Sequence, residues 1–194
     1  MSTPSRLRAD AARNVERILA TAETTLAQRP EATMQEIATA SGLGRATVYR
    51  HFPTREELLD ALRERALDEA ERALAGARLD EGSAPEALER AVAALLSVGR
   101  RYRSLVSQIA LHPELLVGRP GLAQPLGSVI VRGRQTGELD AGLSPPFVIG
   151  ALAGLLVAAV REQAKDRLAP EDAAAVVTRT LLHGIAAQDN YPKA

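Results

Sequence analysis

Apolar residues recur at helical spacing along most of the chain. Val15, Ile18, Leu19, Ala22 and Leu26 fall on one face of a segment from about residue 9 to residue 28, the pattern of a helix with a single buried side. Arg29-Pro30 stops it. Thr33 opens a short second helix with Ile37 and Ala38 facing inward, and Thr33-x-x-Glu36 has the spacing of a capping box. Ser41-Gly42-Leu43-Gly44 is a tight turn in which glycine permits positive φ. A third short helix follows, Arg45 to His51, broken by Phe52-Pro53-Thr54. Thr54-x-x-Glu57 is a second capping box. It starts a long fourth helix through Leu58, Leu59, Leu62 and Ala66 to about residue 75.

Residues 76–84 are richer in Gly, Asp and Ser and read as a linker. Helices are then predicted from Pro85 to about Arg103, around Leu105 to Leu111, from Gly121 to Gln135, over 147–166, and from Pro170 to about Ala187. Ser144-Pro145-Pro146 suits the first turn of the 147–166 helix, because proline has no N–H to lose there. Glu171 and Asp172 complement the positive end of the last helix. No stretch alternates with period two. The prediction is an all-α chain of about nine helices, with a first domain over residues 1–55 and a second, helical domain over 56–194.

Composition narrows the chemistry. The 194 residues carry 24 basic and 24 acidic side chains, which excludes a uniformly cationic nucleic-acid coat but allows a local basic face. There is no cysteine, so disulfides, thiolate metal sites and Cys nucleophiles are excluded. Two Phe, three Tyr and no Trp leave too few aromatics for a single-strand stacking platform. His51, His112 and His183 have no ligand partner at helical spacing, and no phosphate loop, dinucleotide fingerprint or nucleophile elbow occurs. No metal, no cofactor and no enzymatic activity are therefore expected. Met1 to Ala12 lacks the apolar core of a signal peptide. The apolar run Phe147 to Val160 is shorter than the ~20 residues that span a bilayer. A cytoplasmic chain without membrane attachment is expected.

Two short helices joined by a Gly-containing turn form a helix-turn-helix pattern. The third helix strengthens it. In Arg45-Ala46-Thr47-Val48-Tyr49-Arg50-His51-Phe52 only Val48 and Phe52, four apart, can anchor inward. Arg45, Thr47, Tyr49, Arg50 and His51 are left for outward faces, a set of donors suited to base edges and phosphates in a major groove. Through residue 55 arginines outnumber carboxylates, with the excess concentrated at Arg45, Arg50 and Arg55.

On these residues the stretch from Ile18 to Leu59 resembles the DNA-binding domain of the TetR/AcrR transcriptional regulators. The likeness rests on Ile18-Leu19 and Ala22, on Thr33-Met34-Gln35-Glu36-Ile37-Ala38, on Gly42 to Phe52, and on Arg55-Glu56-Glu57-Leu58-Leu59. The resemblance implies a three-helix helix-turn-helix domain followed by a helical domain for ligand binding and dimerisation. It further implies a homodimeric regulator, a repressor released from a palindromic double-stranded operator by a small-molecule effector. Thr33 is then expected to hold a phosphate, Arg45 and Thr47 to face bases with Ala46 and Arg50 beside them, Tyr49 and His51 to grip the backbone, and Arg55 to bind phosphate. Gly44 departs from the pattern, standing where a Ser often caps the recognition helix.

The 147–166 helix is apolar on nearly every side, so it must be covered on every side. Either the domain core encloses it, or a second subunit does. The resemblance favours a four-helix dimer contact, with Leu152, Leu155, Leu156 and Val160 paired with Val177, Leu181 and Ile185. Tyr102, Gln108, His112 and Phe147 are candidate ligand contacts, being the polar or aromatic members of aliphatic segments. The competing reading is an architectural DNA-binding dimer without ligand response. It would leave over half the chain serving dimerisation alone.

Overall fold

The computed structural model describes residues 4–106 and 118–185. Among them lie eight α-helices of at least seven residues and no strand. They are α1 (Pro4–Gln28), α2 (Met34–Ser41), α3 (Arg45–His51), α4 (Arg55–Gly76), α5 (Ala84–Arg101), α6 (Pro120–Thr136), α7 (Pro145–Gln163) and α8 (Pro170–Ile185). Residues 103–106 are also helical. The all-helical expectation holds.

Local chemistry sets the helix ends. Thr33 caps α2: its Oγ1 accepts the Glu36 N–H, and Glu36 Oε2 accepts the Thr33 N–H at 2.7 Å. Ser83 and Glu86 form the same reciprocal pair at the start of α5. In both boxes the hydrogen bonds from the capping residue, its backbone N–H first, hold the glutamate pKa below the ordinary value. Ser144 caps α7 ahead of Pro145 and Pro146. Gly42 closes α2 at φ +62, a left-handed conformation that a side chain would strain.

The chain packs as two compact units that divide within α4, after Arg65, rather than at residue 55. The first turns of α4 complete the first unit. Leu58 and Leu62 are buried, as are Ile18, Leu26, Ile37 and Val48. Arg65 donates to Glu16 of α1 at 2.7 Å.

In the second unit α5 packs against α6, α7 and α8, and α7 packs against α6 and α8. Its core includes Leu88, Val92, Leu96 and Ile130. Near the other end of α4, Arg119 donates to Glu71 at 3.0 Å and pairs with Asp68. Among the described residues one helix, Pro145–Gln163, is long and apolar enough to cross a membrane. Here it packs against three neighbours of its own chain.

That packing corrects part of the interface expectation. Leu152 and Val160 of α7, with Val177 and Leu181 of α8, are at most 3% exposed in the single chain. They are core residues rather than interface residues. A helix apolar all round carries no sequence mark of which side its own domain covers. Leu155 and Leu156 are half-buried, and the side chain of Ile185 lies outside the described residues.

Two glycines of α6 set up a stability test. A Cβ on Gly133 would stand 2.6 Å from Leu139 Cδ1 and 2.7 Å from Ala84 Cβ, whereas one on Gly127 would meet nothing within 4 Å. Gly133→Ala is expected to destabilise the chain by about 1–3 kcal/mol through overpacking. Gly127→Ala should stabilise it by up to about 1 kcal/mol, by lowering the backbone entropy of the unfolded chain. Denaturant unfolding of the two variants checks the opposite signs.

Candidate nucleic-acid interface and internal cavity

The turn between α2 and α3 is built by backbone. The Gly42 N–H donates to Thr39 O at 3.1 Å, and Gly44 O accepts from Thr47 and Val48 at the start of α3. Gly44 occupies the cap position with extended φ and ψ and no side-chain bond. Glycine there costs only a few tenths of a kcal/mol relative to Ser or Asp. Arg17 of α1 lies over the turn, with its Nη2 2.8 Å from where a Cβ on Gly42 would stand. Position along the sequence gave no signal for that contact, because it joins two separate helices.

α3 is held by two side chains. Val48 is 0% exposed and Phe52 6%. Arg45, Ala46 and Arg50 are exposed, while Thr47, Tyr49 and His51 are half-buried. The Arg45 guanidinium lies 5.2 Å from the Tyr49 ring centroid, a cation–π distance that orders both side chains on one outer face. His51 is placed differently from its neighbours. Its Nε2 is enclosed, with no hydrogen-bond partner, so contact from that nitrogen requires the ring to turn outward.

Thr33 and Arg55 belong to a polar network around the segment before α2. Thr33 is exposed at the head of α2 and engaged with Glu36. Glu36 also accepts from Arg29 Nη1 at 2.6 Å. Arg55 reaches back 23 to 25 residues: one guanidinium nitrogen donates to Ala32 O, and Nη2 donates to Pro30 O at 2.7 Å. The guanidinium expected at a phosphate therefore clamps two carbonyls. The planar fork of Arg makes this geometry possible.

The second unit contains a cavity of about 100 Å³. Its described walls come from α4 (Ala66, Leu67, Ala70), α5 (Leu95, Val98, Gly99), α6 (Leu122, Leu126) and α7 (Ile149, Leu152, Ala153, Leu156, Val157, Val160), with Tyr102 and Val106. Of the four candidate ligand residues, Tyr102 lines the cavity. Its hydroxyl is 3.0 Å from Glu69 Oε2, and Glu69 Oε1 accepts from Arg101 Nη1 at 3.0 Å. Phe147 does not line it and is 62% exposed. Gln108 and His112 lie outside the described residues. Reasoning from polar and aromatic residues missed the aliphatic walls, which in sequence look like any other helix core. It also missed the contacts of Glu69, because Arg101 and Tyr102 lie 32 and 33 residues away.

Phe147 instead begins an outward stripe on α7 with Ala151, Gly154, Leu155 and Ala158. The first, third and last of these with Phe147 follow helical spacing, and Gly154 and Ala158 are exposed. A Cβ on Gly150 or Gly154 would meet nothing within 4 Å. Neither glycine is required by packing inside the chain.

Residues 18–62 match the family model described as bacterial regulatory proteins, tetR family. The HTH-type transcriptional repressor LfrR of Mycolicibacterium smegmatis is 39% identical over 82 residues, which cover 42% of this chain and 43% of LfrR. The match thus spans less than half of that relative's length. The HTH-type transcriptional regulator NfxB of Pseudomonas aeruginosa is 24% identical, over 87% of this chain and 92% of NfxB. Among solved structures, the TetR-like regulator LfrR from Mycobacterium smegmatis in complex with proflavine superimposes with a TM-score of 0.63 at 28% identity. That superposition covers 91% of this chain and 99% of the LfrR chain.

The network before α2 makes two expectations testable. Arg55→Lys keeps the charge but loses the fork. It should destabilise the N-terminal unit by about 1–2 kcal/mol, the scale of one or two charge-assisted hydrogen bonds at a half-exposed site. Unchanged stability in a denaturant titration would show that the clamp does not hold the segment. Because the folded pKa of Glu36 is lowered, its contribution is present above the unfolded carboxylate pKa and is lost as pH falls through the lowered value. Thermal melts across the acid range should show this loss, and Glu36→Gln should remove its part of the pH dependence.

Proposed function

We propose that this chain, a transcriptional regulator of the TetR family, binds a near-palindromic operator as a homodimer and is released from it by a small-molecule effector. The observation that carries the reading is α3, a short helix held by Val48 and Phe52 that leaves Arg45, Ala46, Thr47, Tyr49 and Arg50 at its outer surface. Arg45 and Thr47, at its N-terminal end, read base edges, as recognition helices do. Thr33, Tyr49, Arg50 and His51 grip phosphates. Arg55 acts mainly by fixing the segment that presents Thr33. The repressor name of LfrR supports repression as the mode of action.

Dimerisation uses the α7 stripe from Phe147 to Ala158. An exposed apolar face with open glycines suits the close approach of a second, two-fold-related α7. The LfrR–proflavine complex supports a small-molecule effector, and the cavity in the second unit supplies a place for one. α4 is a single helix whose first residue is Arg55 and whose later turns include Ala66, Leu67 and Ala70 of the cavity wall. A ligand that shifts those turns moves Arg55 with them and changes the spacing of the two recognition helices. Those must stand about 34–36 Å apart to enter successive major grooves. A 100-fold loss of operator affinity requires about 2.7 kcal/mol of coupling, and operator must weaken the effector by the same factor.

Binding titrations against specific and random duplexes test the DNA assignment. Arg45→Ala should cost about 1–3 kcal/mol on the specific duplex and relax preference at one position. Equal weakening on both duplexes assigns Arg45 to phosphate instead. Ala158→Glu places a charge on a side chain exposed in the single chain. The fold should survive while light scattering shows monomer and operator affinity drops. A folded Ala158→Glu dimer would rule out this face.

A further inference from the structure

We propose that the cavity selects uncharged, aliphatic molecules and discriminates against organic cations and anions alike. The proposal rests on the ligand-response reading above and specifies its ligand. Every described wall residue except Tyr102 is aliphatic or glycine. No carboxylate, guanidinium or ammonium is among these described residues, so a charged group set against them would leave water without an opposite charge to meet it, which is strongly unfavourable.

The one polar position among the described wall residues is charge-balanced from behind. The Tyr102 hydroxyl is within hydrogen-bond distance of Glu69 Oε2, and Arg101 holds Glu69 Oε1 at 3.0 Å. The Arg101 guanidinium also lies 5.7 Å from the Tyr102 ring centroid. A cation approaching Glu69 therefore meets a carboxylate already paired with Arg101, and it meets the guanidinium itself. An anion approaching Arg101 meets Glu69 in the same way. The described walls also lack the facing aromatic rings that would clasp a flat cation, since Tyr102 is the only aromatic residue among them. Shape and dispersion contacts with branched aliphatic side chains remain as the source of affinity.

The test holds the chain length of the probe constant and changes its charge. 1-Hexanol, hexylammonium and hexanoate are titrated into the full-length protein by calorimetry at neutral pH. 1-Hexanol should bind at least tenfold more tightly than either ion. Equal or tighter binding of hexylammonium, or no binding of 1-hexanol, overturns the proposal. Leu95 and Leu156 are half-buried wall residues on two different helices. Leu95→Asp and Leu156→Asp each add a carboxylate to the wall, and whichever variant keeps the helical signal of the unaltered protein should reverse the preference toward hexylammonium. A folded variant that still prefers 1-hexanol places binding elsewhere and refutes the assignment. Operator affinity is measured in parallel. If 1-hexanol fills the cavity with the expected selectivity and operator binding does not change, the selectivity stands and the effector reading falls.

Discussion

The second unit depends on one constraint: a helix that is apolar on every side has to be covered on every side. α7 meets it with three neighbours from its own chain, α5, α6 and α8, which bury Val148, Ile149, Leu152, Ala153, Val157, Ala159 and Val160. Two apolar surfaces remain. One faces the cavity, where Leu152, Leu156, Val157 and Val160 border it. The other is external, from Phe147 to Ala158. The cavity and the outward stripe thus lie on different sides of the same helix.

The first unit follows a different logic. Its third helix, α3, is too short to bury much, so its position relies on the turn before it and on the two side chains beneath it. The segment entering α2 is tied by polar contacts: Arg55 to two carbonyls, Arg29 to Glu36, and Glu36 to Thr33. Each tie is individually modest at an exposed site. Together they fix backbone groups that no regular helix bond would satisfy, and they set the direction in which the head of α2 faces.

The helices were legible in the sequence because their signals are local. Capping boxes, proline breaks and apolar periodicity placed the described helix borders to within a few residues, apart from α1, which begins at Pro4 rather than near residue 9; the ends of the helices expected over 105–111 and 170–187 lie outside the described residues. The inward pair Val48 and Phe52 was legible for the same reason. What depended on distant neighbours was not. The side of α7 that faces inward is decided by α5, α6 and α8, so Leu152, Val160, Val177 and Leu181 read equally well as core or interface. Arg55 looked like a phosphate ligand because the carbonyls it clamps belong to another segment. Phe147 looked like a pocket residue by its chemistry, yet it stands at the first turn of α7 and points to the outside.

The cavity wall has an evolutionary consequence. All of its described residues lie from Ala66 onward, outside α1, α2 and α3. Exchanges among Val, Leu, Ile and Met in such a wall typically cost less than about 1.5 kcal/mol, while each one reshapes the enclosed space. The shape of the cavity can therefore drift through single, individually tolerable changes, with no residue of α1, α2 or α3 altered along the way. Divergence of the cavity is thereby separated from divergence of the helix-turn-helix surface.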